Sequence, residues 1–180
     1  MLRSAHKTLE WLLEWATIIL MIALTVVVIV AVTFRLAGSS LSWYDEIAAV
    51  ALSWITYYGA ALAALKRRHI GFDTVLLSLP QGLRMTGLVV AEAIVIGFFI
   101  LMAWAGMEVL AVLEGMSLVS LTWVPIQVTQ SVIPIGAVLF IICELVSLPL
   151  YWQMTAAGKS LEHAEIEEEV EQELKHAEGR

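Results

Sequence analysis

Charge is what this sequence has least of. Asp, Glu, Lys and Arg make up 15% of it and hydrophobic residues 60%, whereas charged residues alone are about a quarter of an ordinary soluble domain. With a mean hydropathy of +0.85, a soluble fold is excluded and an integral membrane protein is left. Cysteine is nearly absent: Cys143 stands alone inside an apolar run, so no intrachain disulfide forms and the fold does not depend on an oxidising compartment. Histidine is scarce and badly placed for cofactor chemistry. His6, His69, His163 and His176 all lie outside the apolar runs, so no pair can ligate a haem between membrane helices. Neither His-x-x-x-His nor Cys-x-x-Cys occurs, which leaves zinc and iron–sulfur centres without a ligand set. No Gly-x-Ser-x-Gly is present and no histidine sits at membrane depth to serve a serine as base, so no enzymatic activity is expected. Clustered basic residues on a soluble surface are also missing, which removes nucleic acid as a partner. The net charge of -7 says little, because much of the acid is gathered in the last twenty residues.

What is present is organised around Trp43 to Asp73. This stretch opens on Asp45-Glu46, crosses an apolar run to Leu65 and closes on Lys66-Arg67-Arg68-His69. Its length matches the roughly 20 residues needed to cross ~30 Å of hydrocarbon. Ser42 is suited to cap the helix, and Asp45 and Glu46 complement the positive pole of its dipole. Ala49, Ser53, Thr56, Ala60 and Ala63 recur at steps of four and three. They form a small-residue face that another membrane helix could approach closely.

The rest of the chain supplies three more spans and two flanking pieces. Residues 1–16 are amphipathic, with Trp11 and Trp15 as boundary residues; they read either as a segment lying along the headgroups or as a plain extension of the first span. Span one covers 17–34, too long for the core of a signal peptide and preceded by Glu10 and Glu14. The others cover 46–65, 86–108 and 125–148, making 17–152 one transmembrane domain. Between spans two and three, Asp73 is placed to cap a short interfacial turn through Leu76 that Pro80 stops. Pro134 should kink the fourth span unless a neighbour satisfies the freed carbonyl. Residues 153–180 form an acidic tail. Its Ile166, Val170 and Leu174 make a thin apolar stripe, but its charge density favours a solvated helix or a disordered segment.

Orientation follows from the basic residues. With four spans Arg3, Lys7, Lys66, Arg67, Arg68, Arg84, Lys159, Lys175 and Arg180 share one side and only Arg35 lies on the other. The positive-inside rule then puts both termini in the cytoplasm and the loops around Asp45 and Glu114 outside. Lys66, Arg67 and Arg68, with Trp11, Trp15, Trp123, Tyr151 and Trp152, are expected to anchor the bundle at the membrane boundaries.

Carboxylates in apolar runs are functional candidates because they are costly to bury. Glu92 and Glu144 fall at similar shallow depth on the basic side. They are read either as reaching the interface or pairing with Lys66, Arg67, Arg68 or Arg84, or as contacting a partner subunit. Glu108, nearer the other side, is expected to be hydrated.

The ordered residues Trp43, Asp45-Glu46-Ile47, Trp54, Gly59-Ala60-Ala61-Leu62-Ala63 and His69-Ile70-Gly71-Phe72-Asp73 resemble the small, DctQ-like membrane subunit of tripartite ATP-independent periplasmic (TRAP) transporters. Trp123-Val124-Pro125 and Ile133-Pro134-Ile135-Gly136 resemble its last-helix pattern, with Gln127 and Ser131 where the pattern often carries aromatic residues. The resemblance runs from the first span to Tyr151. It implies a four-helix scaffold in the cytoplasmic membrane of a bacterium or archaeon, stably paired with a large membrane subunit. That subunit would carry the substrate and any sodium, with an organic acid delivered by a periplasmic binding protein that docks transiently. It further suggests that His69 and Asp73 fix the turn after the second span. Trp43, Asp45 and Glu46, the small face of the second span, Glu92 and Glu144 are the partner-contact candidates. A reading of another class is a self-sufficient homo-oligomeric transporter or channel that uses Glu92 or Glu144 as a proton or cation site.

Overall fold

The computed structural model describes residues 2–67, 76 and 78–158. Arg68, His69, Asp73 and residues 159–180 of the acidic tail lie outside the described residues, while 153–156 belong to the last helix. Within them the chain is helical, with no strand: α1 (Leu2–Leu36), α2 (Tyr44–Leu65), α3 (Gln81–Val112), α4 (Ile126–Gln130) and α5 (Val132–Ala156). Four helical stretches are long and apolar enough to cross a membrane, the last running through α4 and α5.

Helix α1 has 35 residues, about 50 Å at 1.5 Å per residue, well beyond the hydrocarbon thickness. Neither Gly nor Pro interrupts it, so the amphipathic residues are continuous with the helix of the first span. Its end is set by Gly38 in the left-handed region (φ 81°). Gly38 N–H donates to Arg35 C=O at 3.1 Å and Ser39 N–H to Phe34 C=O at 3.0 Å, the paired bonds of a Schellman cap.

At the start of α2 the expectation for Ser42 fails. The capping position is Trp43, and no side chain caps the helix there. The Ser42 carbonyl instead accepts the Ser120 hydroxyl at 2.9 Å, so this residue holds a loop and not a helix end.

Pro134 acts differently from a mid-helix kink. It is the third residue of α5, and the N–H it lacks would have bonded Gln130, the last residue of α4. The fourth span therefore breaks at Ser131 and restarts. The proline inside α5 is Pro149.

The helices form a row in which α1 packs on α2, α2 on α5, and α5 on α3. Two glycines bring neighbours together. A Cβ on Gly136 would meet the Tyr57 Cβ at 2.6 Å, and one on Gly106 the Pro134 Cδ at 2.9 Å. Leu13, Ala61, Ala64, Leu65, Phe140 and Cys143 make the main buried cluster. Phe99 stacks on Phe140 with ring centroids 3.6 Å apart. The outer faces of α1 and α3 leave Ile18, Ile22, Ile29, Val90, Ile94 and Leu101 exposed, as suits helices that meet lipid or other membrane helices.

Candidate functional site: a buried charge cluster at one end of the bundle

Alternation of the four spans gathers the start of α1, the end of α2, the start of α3 and the end of α5 at one end. Lys66 binds Glu10 at 3.1 Å and also Glu14, and His6 Nε2 lies 3.3 Å from the Leu65 carbonyl, joining α1 to α2. The Glu14 carboxylate beside it raises the Lys66 ammonium above its ordinary range, with Glu10 adding to the effect and partial burial opposing it. Arg84, on α3, reaches the Ala156 carbonyl of α5 at 3.5 Å.

Arg67 is the centre of this end. Helix α2 stops with Arg67 at φ 52°, a left-handed position usually taken by glycine and costly for a residue with a Cβ. This bend carries the side chain back under the bundle, where only 6% of it is exposed. Nε donates to Ser147 Oγ at 2.8 Å and Nη2 to the Glu144 carbonyl at 3.0 Å. Nη1 binds both carboxylates, Glu144 Oε1 at 2.8 Å and Glu92 Oε1. The guanidinium carbon lies 4.6 Å from the centroid of the Tyr151 ring, close enough for a cation–π contact. Ser147 completes the set through the Ala64 carbonyl at 3.2 Å. One side chain thus links α2, α3 and α5.

Several expected roles change here. Arg67 was expected at the headgroups, yet its hydrogen bonds turn it inward. Tyr151 was expected as a boundary anchor, yet it is buried, 8% exposed, with Leu76 and Leu88. Glu92 and Glu144 follow the pairing reading, with Arg67 as the cation. Their side chains are 12% and 4% exposed, so both face the chain's own helices. What sequence reasoning missed is that Arg67, Glu92, Glu144, Ser147 and Tyr151 form one group. The available signal was the eight-residue spacing of the two glutamates from their flanking boundaries, which puts them level with the basic block.

The remaining candidates lie on the outside. Trp11, Trp15, Trp123 and Trp152 are 58%, 50%, 79% and 42% exposed. Ala49, Ser53 and Thr56 are exposed, while Ala60 and Ala63 are half-buried. The Ser53 and Thr56 hydroxyls donate to Ala49 and Leu52 on their own helix, so this face offers an approach surface without unmet polar groups. Asp45 is exposed and Trp43 half-buried. At the opposite end from Arg67, Glu46 accepts the backbone N–H groups of Val119 and Ser120. Beside the charge cluster, α3 and α5 leave a groove of about 770 Å³ walled by Leu83, Gly87, Val90 and Ile94, with Arg67, Glu92 and Glu144 at its inner side. Among the described residues no group of three or more His, Cys, Asp or Glu is placed to hold a metal ion.

Four helices long and apolar enough to cross a membrane define a multi-pass membrane protein. Residues 24–153 match the family of tripartite ATP-independent periplasmic transporters, DctQ component, and the chain belongs to that family. It is the small membrane subunit of a TRAP transporter. No curated protein matches the sequence.

Proposed function

We propose that this chain is a fixed membrane scaffold for the large TRAP subunit, with which it forms a stable heterodimer for sodium-coupled uptake of an organic acid. In this reading a periplasmic binding protein delivers the acid, the large subunit carries solute and sodium, and the small subunit holds no cofactor. It sits in the cytoplasmic membrane with both termini inside.

The observation that carries the reading is the state of the buried charges. A coupling carboxylate needs a water path and freedom to change partners. Glu92 and Glu144 are instead bound by one arginine whose Nε and Nη2 are also engaged. Broken helices with charges at mid-membrane depth, the usual framework of a transport site, are not formed by the described residues. The break at Ser131, between Gln130 and Val132, carries no charged side chain. Against this stands a broad apolar exterior and the small face of α2, which suit burial against another membrane protein.

Co-expression with the cognate large subunit tests the assignment. The two chains are expected to co-purify at one-to-one stoichiometry in mild detergent. A small subunit that elutes as a homo-oligomer, with the large one absent, would support the self-sufficient channel and overturn the scaffold.

A further inference from the structure

Among the described residues, the cluster at Arg67 does not balance its charges. Two carboxylates, one with 4% and one with 12% of its side chain exposed, meet a single guanidinium. Their Oε1 atoms share Nη1, which brings the two carboxyl groups side by side. Oε2 of each is buried and meets no donor among the described residues.

Among the described residues, the elements packed around the pair are the turn after α2, α3 and α5. The turn after α2 contributes Arg67, and its neighbour Lys66 is engaged with Glu10 and Glu14 of α1. On α3, Arg84 directs its guanidinium to the Ala156 carbonyl. From α5, Ser147 is held by Arg67 and by the Ala64 carbonyl, Tyr151 lies under the guanidinium, and Cys143 is a buried free thiol. None of these brings a second positive charge to the carboxylates. An uncompensated carboxylate buried in a membrane bundle is costly enough that the group takes up a proton instead.

We infer that Glu92 and Glu144 hold one proton between them, making the three-residue cluster electrically neutral. The proton bridges a carboxylic acid and a carboxylate, while Arg67 neutralises the remaining negative charge. A metal cation is the poorer occupant. Hard cations take about six or more oxygen ligands, whereas only the two Oε2 atoms here lack partners. The site is thus a proton store joining α3 to α5, distinct from any role in carrying solute.

The proposal predicts an unusual mutational pattern. Glu92→Gln or Glu144→Gln removes the shared proton but keeps one carboxylate for Arg67, so either single change is tolerated. The double change leaves Arg67 buried without a counter-charge and should lower the Tm by roughly 10 °C. Infrared spectroscopy of the wild-type protein in lipid nanodiscs reads the proton directly and needs no variant to fold. At neutral pH it is expected to show a neutral carboxylic-acid band, lost at alkaline pH and absent in each single Gln variant. The band and its pH response should be indifferent to exchanging sodium for potassium. A wild-type spectrum with no such band would overturn the proposal, as would a double variant as stable as the singles. A band displaced by sodium or potassium at constant pH would show that a cation, not a proton, is held.

Discussion

Ser120 donates its backbone N–H to the Glu46 carboxylate at 2.8 Å and its hydroxyl to the Ser42 carbonyl at 2.9 Å. With the neighbouring Val119 N–H at 3.0 Å, these bonds pin the loop after α3 to the first turn of α2. The loop closes on itself as well, through Leu118 N–H to the Val124 carbonyl and Ile126 N–H to the Met116 carbonyl, both at 3.0 Å. Glu46→Ala should therefore speed hydrogen exchange at the Val119 and Ser120 amides while leaving Leu118 and Ile126 protected. Equal acceleration of all four would mean that Glu46 supports the whole loop, and no acceleration that the carboxylate does not hold it.

Arg67 combines a costly backbone conformation with a well-bonded side chain, and the two contributions can be separated. Arg67→Ala strands two buried carboxyl groups, and breaking a buried ion pair on one side costs about 3–5 kcal/mol. Arg67→Gly loses the same contacts but suits the left-handed position, which recovers about 1 kcal/mol. Unfolding in mild detergent should rank wild type above Arg67→Gly, and Arg67→Gly above Arg67→Ala. An Ala variant as stable as the wild type would show that the cluster does not hold the bundle together.

Close approach of α2 and α5 depends on Gly136. Gly136→Ala places a methyl 2.6 Å from the Tyr57 Cβ, so the helices must move apart, at a cost of about 1–3 kcal/mol for overpacking. Gly97 is the control, since a Cβ there meets nothing within 4 Å, and Gly97→Ala should be neutral or slightly stabilising in a helix. Similar losses at both positions would point to helix-wide effects and away from the Tyr57 contact.

Lys66 ties the start of α1 to the end of α2 through Glu14 and Glu10. Because its folded pKa is raised above 10.5, chiefly by Glu14, its contribution is fully present below the unfolded value and lost as pH rises through the folded one. Removing it with Lys66→Met should loosen the first turns of α1 equally at pH 6 and pH 8, as read by hydrogen exchange. Lys66→Arg should restore protection. A loss that appears at one of these pH values alone would assign the contact to another titrating group.

Much of the architecture was legible because membrane spans are written in length and composition. Four apolar runs separated by polar turns give four long helices, and the unbroken run before Thr17 lets α1 continue to Leu2. The site was harder to read. A basic block after an apolar run ordinarily marks the headgroup region, and nothing local says that Arg67 takes a left-handed turn that returns its side chain to the protein. That outcome depends on Glu92, Ser147 and Tyr151, which lie 25, 80 and 84 positions away along the chain. Ser42 was misread for a related reason, since a distant loop competes for its backbone. At Pro134 the freed carbonyl, on Gln130, coincides with the end of α4, so the helix restarts where a kink was expected.

The proposed scaffold role requires that the chain hold a transporter together without itself carrying solute. Radiolabelled organic acids, with an imposed sodium gradient and the binding protein present, can be offered to liposomes containing the small subunit alone or both membrane subunits. The account predicts no gradient-dependent uptake with the small subunit alone and uptake when the large subunit is added. Accumulation by the small subunit without its partner would contradict it.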